Sequence, residues 1–464
     1  MKDKPLVGLL PLGRPTFDVP YAQEMLAAML AALEAAGIAT TGPRDLLFDA
    51  DAARGALRSL LDRDVDQILV LQVTFTDASM IREVADAFGG PLAIWSAPEP
   101  RSGGRLRLNA FCGLNLAGHA LGLMDRAFGY LYAAPDAPGI ASALAELAGG
   151  KRMAEPVTPR SAAPDAAGRQ AVEALRGSRI GRIGRHPEGF DTCAYDPAKL
   201  DALAGVSVDE IALEGLFSRA KAVEPAVAAD ERAAAETLVS GLDAVDQPQL
   251  DRSLRLHAAL RALREEGAYD AFAIRCWPET FTEYGGAVCG PVAMMGEARV
   301  PCACEADVYG ALTTLLLQRI AGQPAFLVDL VDVDTADDTG VVWHCGQAPI
   351  SMADPESDPR ATIHTNRKMP LLFEFPLKPG RVTFLRISQA RGQTCAVIGG
   401  GEMLKRPMAF TGTSGVVCFD SSAAHVLDTV MGAALEHHMA LAYGDHRQTL
   451  EGAAAALGIP VIHL

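Results

Sequence analysis

The feature that most constrains this chain's fold is an alternation. Over the first ~150 residues, short apolar runs of strand length exchange with amphipathic runs of helix length. "PLVGLLPL" has the length and apolarity of a buried strand, and "YAQEMLAAMLAALEAAGI", rich in Ala, Leu and Met, is a helix stopped by Gly37. "ADAARGALRSLLDRD", "VDQILVLQVTF", "SMIREVADAFGG" and "PLAIWSAPEP" then repeat helix, strand, helix, strand. Strands joined through helices become parallel neighbours, because the helix carries the chain back across the sheet. Residues 1–165 are therefore expected to form a Rossmann-like α/β domain. Gly13–Asp18 and Thr74–Asp77 would lie at the C-terminal ends of its strands, the edge where open parallel sheets hold their binding crevice.

A chain of 464 residues is too long for one core and divides into two or three domains. The Pro- and Ala-rich stretch of about 150–172 reads as a linker or lid. A second Rossmann-like domain, 166–348, begins around "SRIGRIGRHPEGF" and contains a long amphipathic helical region and the strand "AFAIRCW". "GRIGRHPEG" has neither GxGxxG spacing nor a P-loop Lys-Ser/Thr pair, which argues against dinucleotide or ATP binding. From 349 to 464, short strands separated by Gly and Pro turns indicate an antiparallel β domain, closing on a helix over "SAAHVLDTVMGAALEHHMALAYG", a further helix and the strand "IPVIHL".

The net charge of −16, with no run of Lys or Arg, argues against nucleic acid or a membrane surface as partner. Nine scattered cysteines suit reduced thiols in a cytoplasmic protein better than a disulfide framework, and their spacing matches no structural zinc motif. The N-terminus is broken by Pro and Gly before it reaches the length of a secretion signal.

The chemistry concentrates in "CACEADVYGALTTLLLQRIAGQPAFLVDLVDVD", residues 302–334. Read as strand, helix, strand, this is one βαβ unit that brings Glu305 and Asp329 to the same sheet edge. Glu305 has an alternative as a first-turn helix acid. Asp329 has none, since an acid inside an apolar strand needs a partner. Asp307, Asp332 and Asp334 are competitors that read as surface or turn acids. His344 follows a strand in "VVWHCG", and His437 and His438 fall on the expected terminal helix, where successive residues point ~100° apart so that one of the pair can face a metal. Carboxylates with one or two imidazoles suit Mn2+ or Mg2+. Such an ion chelates neighbouring oxygens of a hydroxy-carbonyl while a carboxylate moves a proton at the adjacent carbon.

The segments "LPLGRPTFDVPYA", "QVTFTDASM", "GGRLRLNAFCGLNL", "PCACEADVYGAL", "VVWHCG", "PLKPGRVTF", "FTGTSG" and "LEHHMALAYGD" together resemble the L-fucose isomerase and L-arabinose isomerase superfamily along nearly the whole chain. The resemblance implies two Rossmann-like domains followed by a C-terminal β-barrel-like domain, and an aldose–ketose isomerisation through an enediol that depends on Mn2+, with Mg2+ or Co2+ as substitutes. It implies that Glu305 and Asp329 are the acid/base carboxylates and metal ligands, with His438 and His344 as further ligands. Arg14 lies where relatives lend a residue to a neighbouring subunit, implying a homo-oligomer with active sites at subunit interfaces. Trp277, Glu279, Tyr284, His186 and His437 are candidate sugar contacts, and Arg14 and Arg185 are candidates to clamp an anionic group such as a sulfonate. Two other readings use the same residues: a non-enzymatic sugar-binding protein, and a metal-dependent lyase or epimerase acting on a sugar acid.

Overall fold

The computed structural model describes residues 5–464, so the charged start of the chain, Met1–Lys4, lies outside the described residues. Its class is mixed α/β, with two parallel sheets and one large mixed sheet. The first parallel sheet contains β1 (Val7–Leu12), β2 (Thr40–Thr41), β3 (Gln67–Gln72), β4 (Leu92–Ser96) and β5 (Gly129–Tyr132) in the order 2-1-3-4-5. Every residue of β1, β3 and β4 is buried, which is why these strands read as continuous apolar runs rather than alternating ones.

The second parallel sheet contains β6 (Arg179–Ile183), β7 (Ser207–Ile211), β8 (Ala271–Ile274) and β9 (Cys302–Ala303) in the order 7-6-8-9. The expected long helical region is two helices, Pro225–Glu236 and Gln247–Gly267, the second started by Asp246, whose side chain accepts the Gln249 amide. The stretch read as a linker or lid is pinned down instead. Ala154 donates to the Phe128 carbonyl, Arg160 pairs with Val461, and the helix Ala166–Glu173 packs so closely on the helix Arg447–Leu457 that a Cβ on Gly168 would meet the Gly452 and Ala453 backbone.

The large sheet takes the remaining strands: β10 (Phe326–Asp334), β11 (Thr339–His344), β12 (Arg360–Thr362), β13 (Leu372–Pro376), β14 (Gly380–Ser388), β15 (Cys395–Met403), β16 (Thr413–Phe419), β17 (His438–Tyr443) and β18 (Val461–His463). Its order is 12-13-16-11-10-17-14-15-18, and β15 also pairs with β16 through Gly401–Phe419, Glu402–Cys418 and Met403–Val417. The pairing of six strands thus returns on itself through a short three-residue seam.

Two expectations are corrected here. β9 and β10 are not neighbours in one βαβ unit: β10 leaves the second sheet and runs antiparallel between β11 and β17. The reason is the helix between them, Val308–Ala321, which is buried on nearly every side and packs its apolar residues against both β8 and the β14–β17 face. A helix sandwiched between two sheets receives the chain from one and delivers it to the other. The second correction concerns "HMALAYG", which is the strand β17 and not the end of a helix. The preceding helix stops at Gly432, Ala434 turns the chain at φ 55°, and the six buried residues that follow pair with β10 and β14. Among the described residues no helix is long and apolar enough to cross a membrane.

Candidate active site

Trp277 and Glu305 lie just past the C-terminal ends of the parallel neighbours β8 and β9, and Arg14 and Phe75 hold the same position after β1 and β3. The large sheet supplies the opposite wall. Asp329 on β10 stands directly across from Trp343 on β11 and His438 on β17, and His344 ends β11. Ladder register, not loop conformation, therefore sets Asp329 beside His438. The ladder shifts between Leu330 and Asp332, so Val331 is an extra residue at a bulge next to the acid.

Glu305 occupies the left-handed region at φ 58°, as does Ala306 at φ 56°. For residues with a Cβ this costs on the order of 1 kcal/mol each. The double turn separates Glu305 from Asp307, whose carboxylate accepts the Gly310 amide at 2.8 Å as the cap of the helix Val308–Ala321. Asp307 was expected to be a surface or turn acid, yet it is fully buried. It takes two hydrogen bonds from Arg386, at 2.6 and 3.2 Å, and bonds His438 Nδ1 at 2.9 Å. That bond has a direct consequence. With its Nδ1–H donated to Asp307, His438 turns the lone pair of Nε2 toward Asp329 Oδ1, 3.5 Å away, and Glu305 Oε2, 3.8 Å away.

Glu305 is held on both oxygens, Oε1 by the Trp277 indole N–H at 3.1 Å and Oε2 by His437 Nε2 at 2.9 Å. Burial pushes its carboxyl up, but the hydrogen bond and charge of His437 outweigh burial and hold it below the usual range. His437 is pushed up: burial opposes its charge, but its bond to Glu305 prevails. Burial and the neighbouring His437 pull His438 down, keeping it neutral. Burial also opposes charge on His344, yet the adjacent Cys345 and the Asp329 carboxylate push it up to about 9.

Three buried polar atoms in this cluster lack a hydrogen-bond partner: Asp329 Oδ1, His344 Nε2 and His437 Nδ1. Asp329, His344 and His438 each bring one ligand atom within 4.8 Å of the others, His438 Nε2 lying 3.5 Å from Asp329 Oδ1. Orphaned polar atoms of this kind are costly unless something charged lies among them, so the residues fit a divalent cation. His344 differs from His438 in one respect: its Nδ1 accepts the Cys345 amide at 2.9 Å, which places the ring proton of the neutral form on Nε2. Cys193 also lies near Glu305 and His438, but burial pushes its thiol well up, and a neutral thiol is a poor ligand for a hard ion.

Arg14, Trp277, Glu305, Asp329, His344 and His437 all line one cleft that opens to solvent, and His438, fully buried, lies outside the lining. Tyr284 does not reach it; the Tyr284 hydroxyl donates to the Arg252 carbonyl and its ring stacks on Phe217. His186 and Arg185 stay outside the lining, and Glu279 is held by Arg275 through two 2.6 Å bonds. Arg14 lines the cleft of its own chain, because β1 ends at the same edge as Trp277, leaving its guanidinium carbon 5.0 Å from the indole ring centroid. Asp332 is held by Arg101 and Tyr132, and Asp334 caps the turn after β10, so these competitors are structural.

Sequence reasoning missed Phe190, whose ring packs on Trp277, Phe75 and His437, and also His364, Asn366 and Arg367, which line the cleft. It also missed the sulfur wall. Cys276 and Cys304 are joined as a disulfide with Cα atoms 5.8 Å apart, where reduced thiols were expected, because they follow adjacent parallel strands. Cys289 and Cys345 lie with their sulfurs 3.7 Å apart, and the Gln347 amide reaches both Cys304 and Cys345.

The model of the fucose/sulfoquinovose isomerase N-terminal domain matches residues 8–156, and that of the L-fucose isomerase C-terminal domain matches residues 342–464. The sulfoquinovose isomerase of Clostridium sp. (strain MSTE9) is 30% identical over 450 residues, covering 96% of each chain. That of Alkalicoccus urumqiensis is 29% identical over 456 residues, covering 98% of each, and that of Priestia megaterium (strain ATCC 12872 / QMB1551) is 29% identical over 437 residues, covering 94% of each. The protein is a sugar isomerase, an intramolecular oxidoreductase of the aldose–ketose class. It belongs to the fucose/sulfoquinovose isomerase family.

Proposed function

We propose that this protein is a Mn2+-dependent isomerase that interconverts a sulfonated aldose of the sulfoquinovose type and its ketose. The observation that carries the ion is the convergence of Asp329 Oδ1 with His438 Nε2, the one lacking a partner and the other given its lone pair by Asp307. The substrate class is supported by the full-length likeness to sulfoquinovose isomerases.

Glu305, Asp329 and His438 would hold the ion. When bound, it supplies positive charge beside the reacting carbonyl, worth several kcal/mol in the transition state. Glu305, kept ionised by His437 and Trp277, takes the proton from C2 of the aldose and returns it to C1, while the C2–H electron pair passes through the C1=C2 bond of an enediol. Asp329 moves the hydroxyl proton from O2 to O1. His344, whose charge the Asp329 carboxylate favours, would orient that carboxylate, and Phe190, Phe75 and Trp343 keep water from the reacting carbons.

The test separates the two imidazoles. Purified protein supplied with Mn2+ is expected to retain about one ion per chain by elemental analysis. His438→Ala is expected to lose most of it. His344→Asn is expected to keep its ion yet form ketose roughly 10- to 100-fold more slowly. Full ion content in His438→Ala would refute the ligand assignment, and a His344→Asn protein that loses its ion would make His344 a fourth ligand.

A further inference from the structure

We propose that Arg367, together with Arg14, is the receptor for the anionic end of the sugar and sets the preference for charged over neutral aldoses. This rests on the isomerase reading above and adds to it the residues that choose the substrate. Both guanidiniums lie against the Trp277 indole, Arg14 at 5.0 Å and Arg367 at 5.5 Å from the ring centroid. Arg14 also lies 5.9 Å from the Phe75 ring and Arg367 5.6 Å from Phe281.

The two cations differ from other enclosed arginines of this chain. Arg101, Arg275 and Arg386 each grip a carboxylate, of Asp332, Glu279 and Asp307 respectively. Arg367 makes no ion pair with any carboxylate among the described residues, and Arg14 has only Asp77 at 3.7 Å. Five N–H donors on a half-buried, unpaired guanidinium are a vacancy for an acceptor with several oxygens. Burial and the charge of Arg14 both work against protonation of Arg367, a repulsion that an anion between the two would relieve.

The Arg367 backbone is fixed in advance. His364 Nδ1 accepts the amides of Asn366 and Arg367 at 3.2 Å each, Lys368 donates to the His364 carbonyl at 2.7 Å, and Arg105 holds Asn366 Oδ1 at 2.8 Å. The same indole that carries the two arginines donates its N–H to Glu305. An aldose with its first two carbons at Glu305 and Asp329 would therefore extend its far end along Trp277 toward the guanidiniums. Planar forks of this kind match the oxygens of a sulfonate, and equally those of a phosphate or carboxylate.

The test uses full-length protein loaded with Mn2+, with 6-deoxy-6-sulfoglucose, glucose 6-phosphate and 6-deoxyglucose as the three probes. The wild type is expected to favour the sulfonated sugar by kcat/KM. Arg367→Met is expected to lower the ratio of sulfonated to neutral kcat/KM by roughly 10- to 100-fold. The loss should fall on KM, because the contact is the same in ground and transition states. Arg367→Lys should recover part of the ratio, as it keeps the charge without the fork.

An unchanged ratio in Arg367→Met overturns the proposal, as does a wild type that favours 6-deoxyglucose while still isomerising it, a result that leaves the isomerase reading intact. A wild type that favours glucose 6-phosphate in an Arg367-dependent way supports the clamp and reassigns its anion. Calorimetric titration with the sulfonated sugar covers the remaining case. Arg367-dependent binding without turnover of any aldose would keep the clamp and end the isomerase reading, whereas no binding would end the clamp.

Discussion

Glu305→Gln is expected to lower ketose formation by about 10³-fold or more, the range lost when a positioned general base is removed. The substitution preserves shape, and the amide oxygen can still accept the Trp277 N–H, so the fold should survive. What disappears is an ionised oxygen at the end of a strained double turn, held by His437 at 2.9 Å. The initial rate of ketose formation from the sulfonated aldose, with unchanged circular dichroism, is the measurement. Turnover at the wild-type rate would remove Glu305 from the reaction altogether.

The largest expected effect on stability comes from Asp307→Asn. The variant leaves the fully buried Arg386 with no carboxylate among the described residues nearer than Glu436 at 3.9 Å, and breaking one side of a buried ion pair costs about 3–5 kcal/mol. It also frees His438 from the bond that fixes its tautomer, which should weaken ion binding by roughly 10- to 100-fold. The pH dependence has a definite sign. Burial pushes the Asp307 carboxyl up, but the Arg386 charge and the His438 bond prevail and hold it far below the ordinary range. An unfolded Asp titrates near ~3.9, so the stabilisation is fully present above that value. It is lost as pH falls toward the folded pKa, where the unfolded chain binds the extra proton first. In urea titrations the wild type should exceed the variant most near neutrality, and the gap should narrow in acid. Equal midpoints at neutral pH would contradict this account.

Glu305 and Asp329 were legible in the sequence because an acid beside or inside an apolar run needs a physical reason to be there, and the structure brings both to one cleft. The first two parallel sheets were legible for a related reason, since buried strands alternate with helices that end at glycines such as Gly37, Gly205 and Gly322. The sheet to which β10 belongs was not. A strand after a helix can rejoin the sheet it left or enter another, and only the packing of Val308–Ala321 decides. One signal was available: the short polar turn Thr335–Asp338 between two apolar runs marks β10 and β11 as a hairpin.

β17 was hidden by its Ala-rich approach, whose helix pattern continues in sequence past the point where Ala434 breaks it in space. Asp307 was misjudged because capping is a sufficient local reason for an acid at that position, and its partners Arg386 and His438 are ~80 and ~130 residues away. Arg367 and Phe190 sit in irregular loops, where no periodicity points a side chain anywhere.

The placement of Asp329 between Trp343 and His438 bears on how this chain can diverge. Because successive side chains on a strand face opposite ways, one residue gained or lost between Phe326 and Asp329 would turn the carboxylate away from the cleft without changing any amino acid in it. Loops such as the one bearing Arg367 tolerate changes of length and can trade one sugar for another, while the three central strands must keep their residue count for as long as the chemistry is kept.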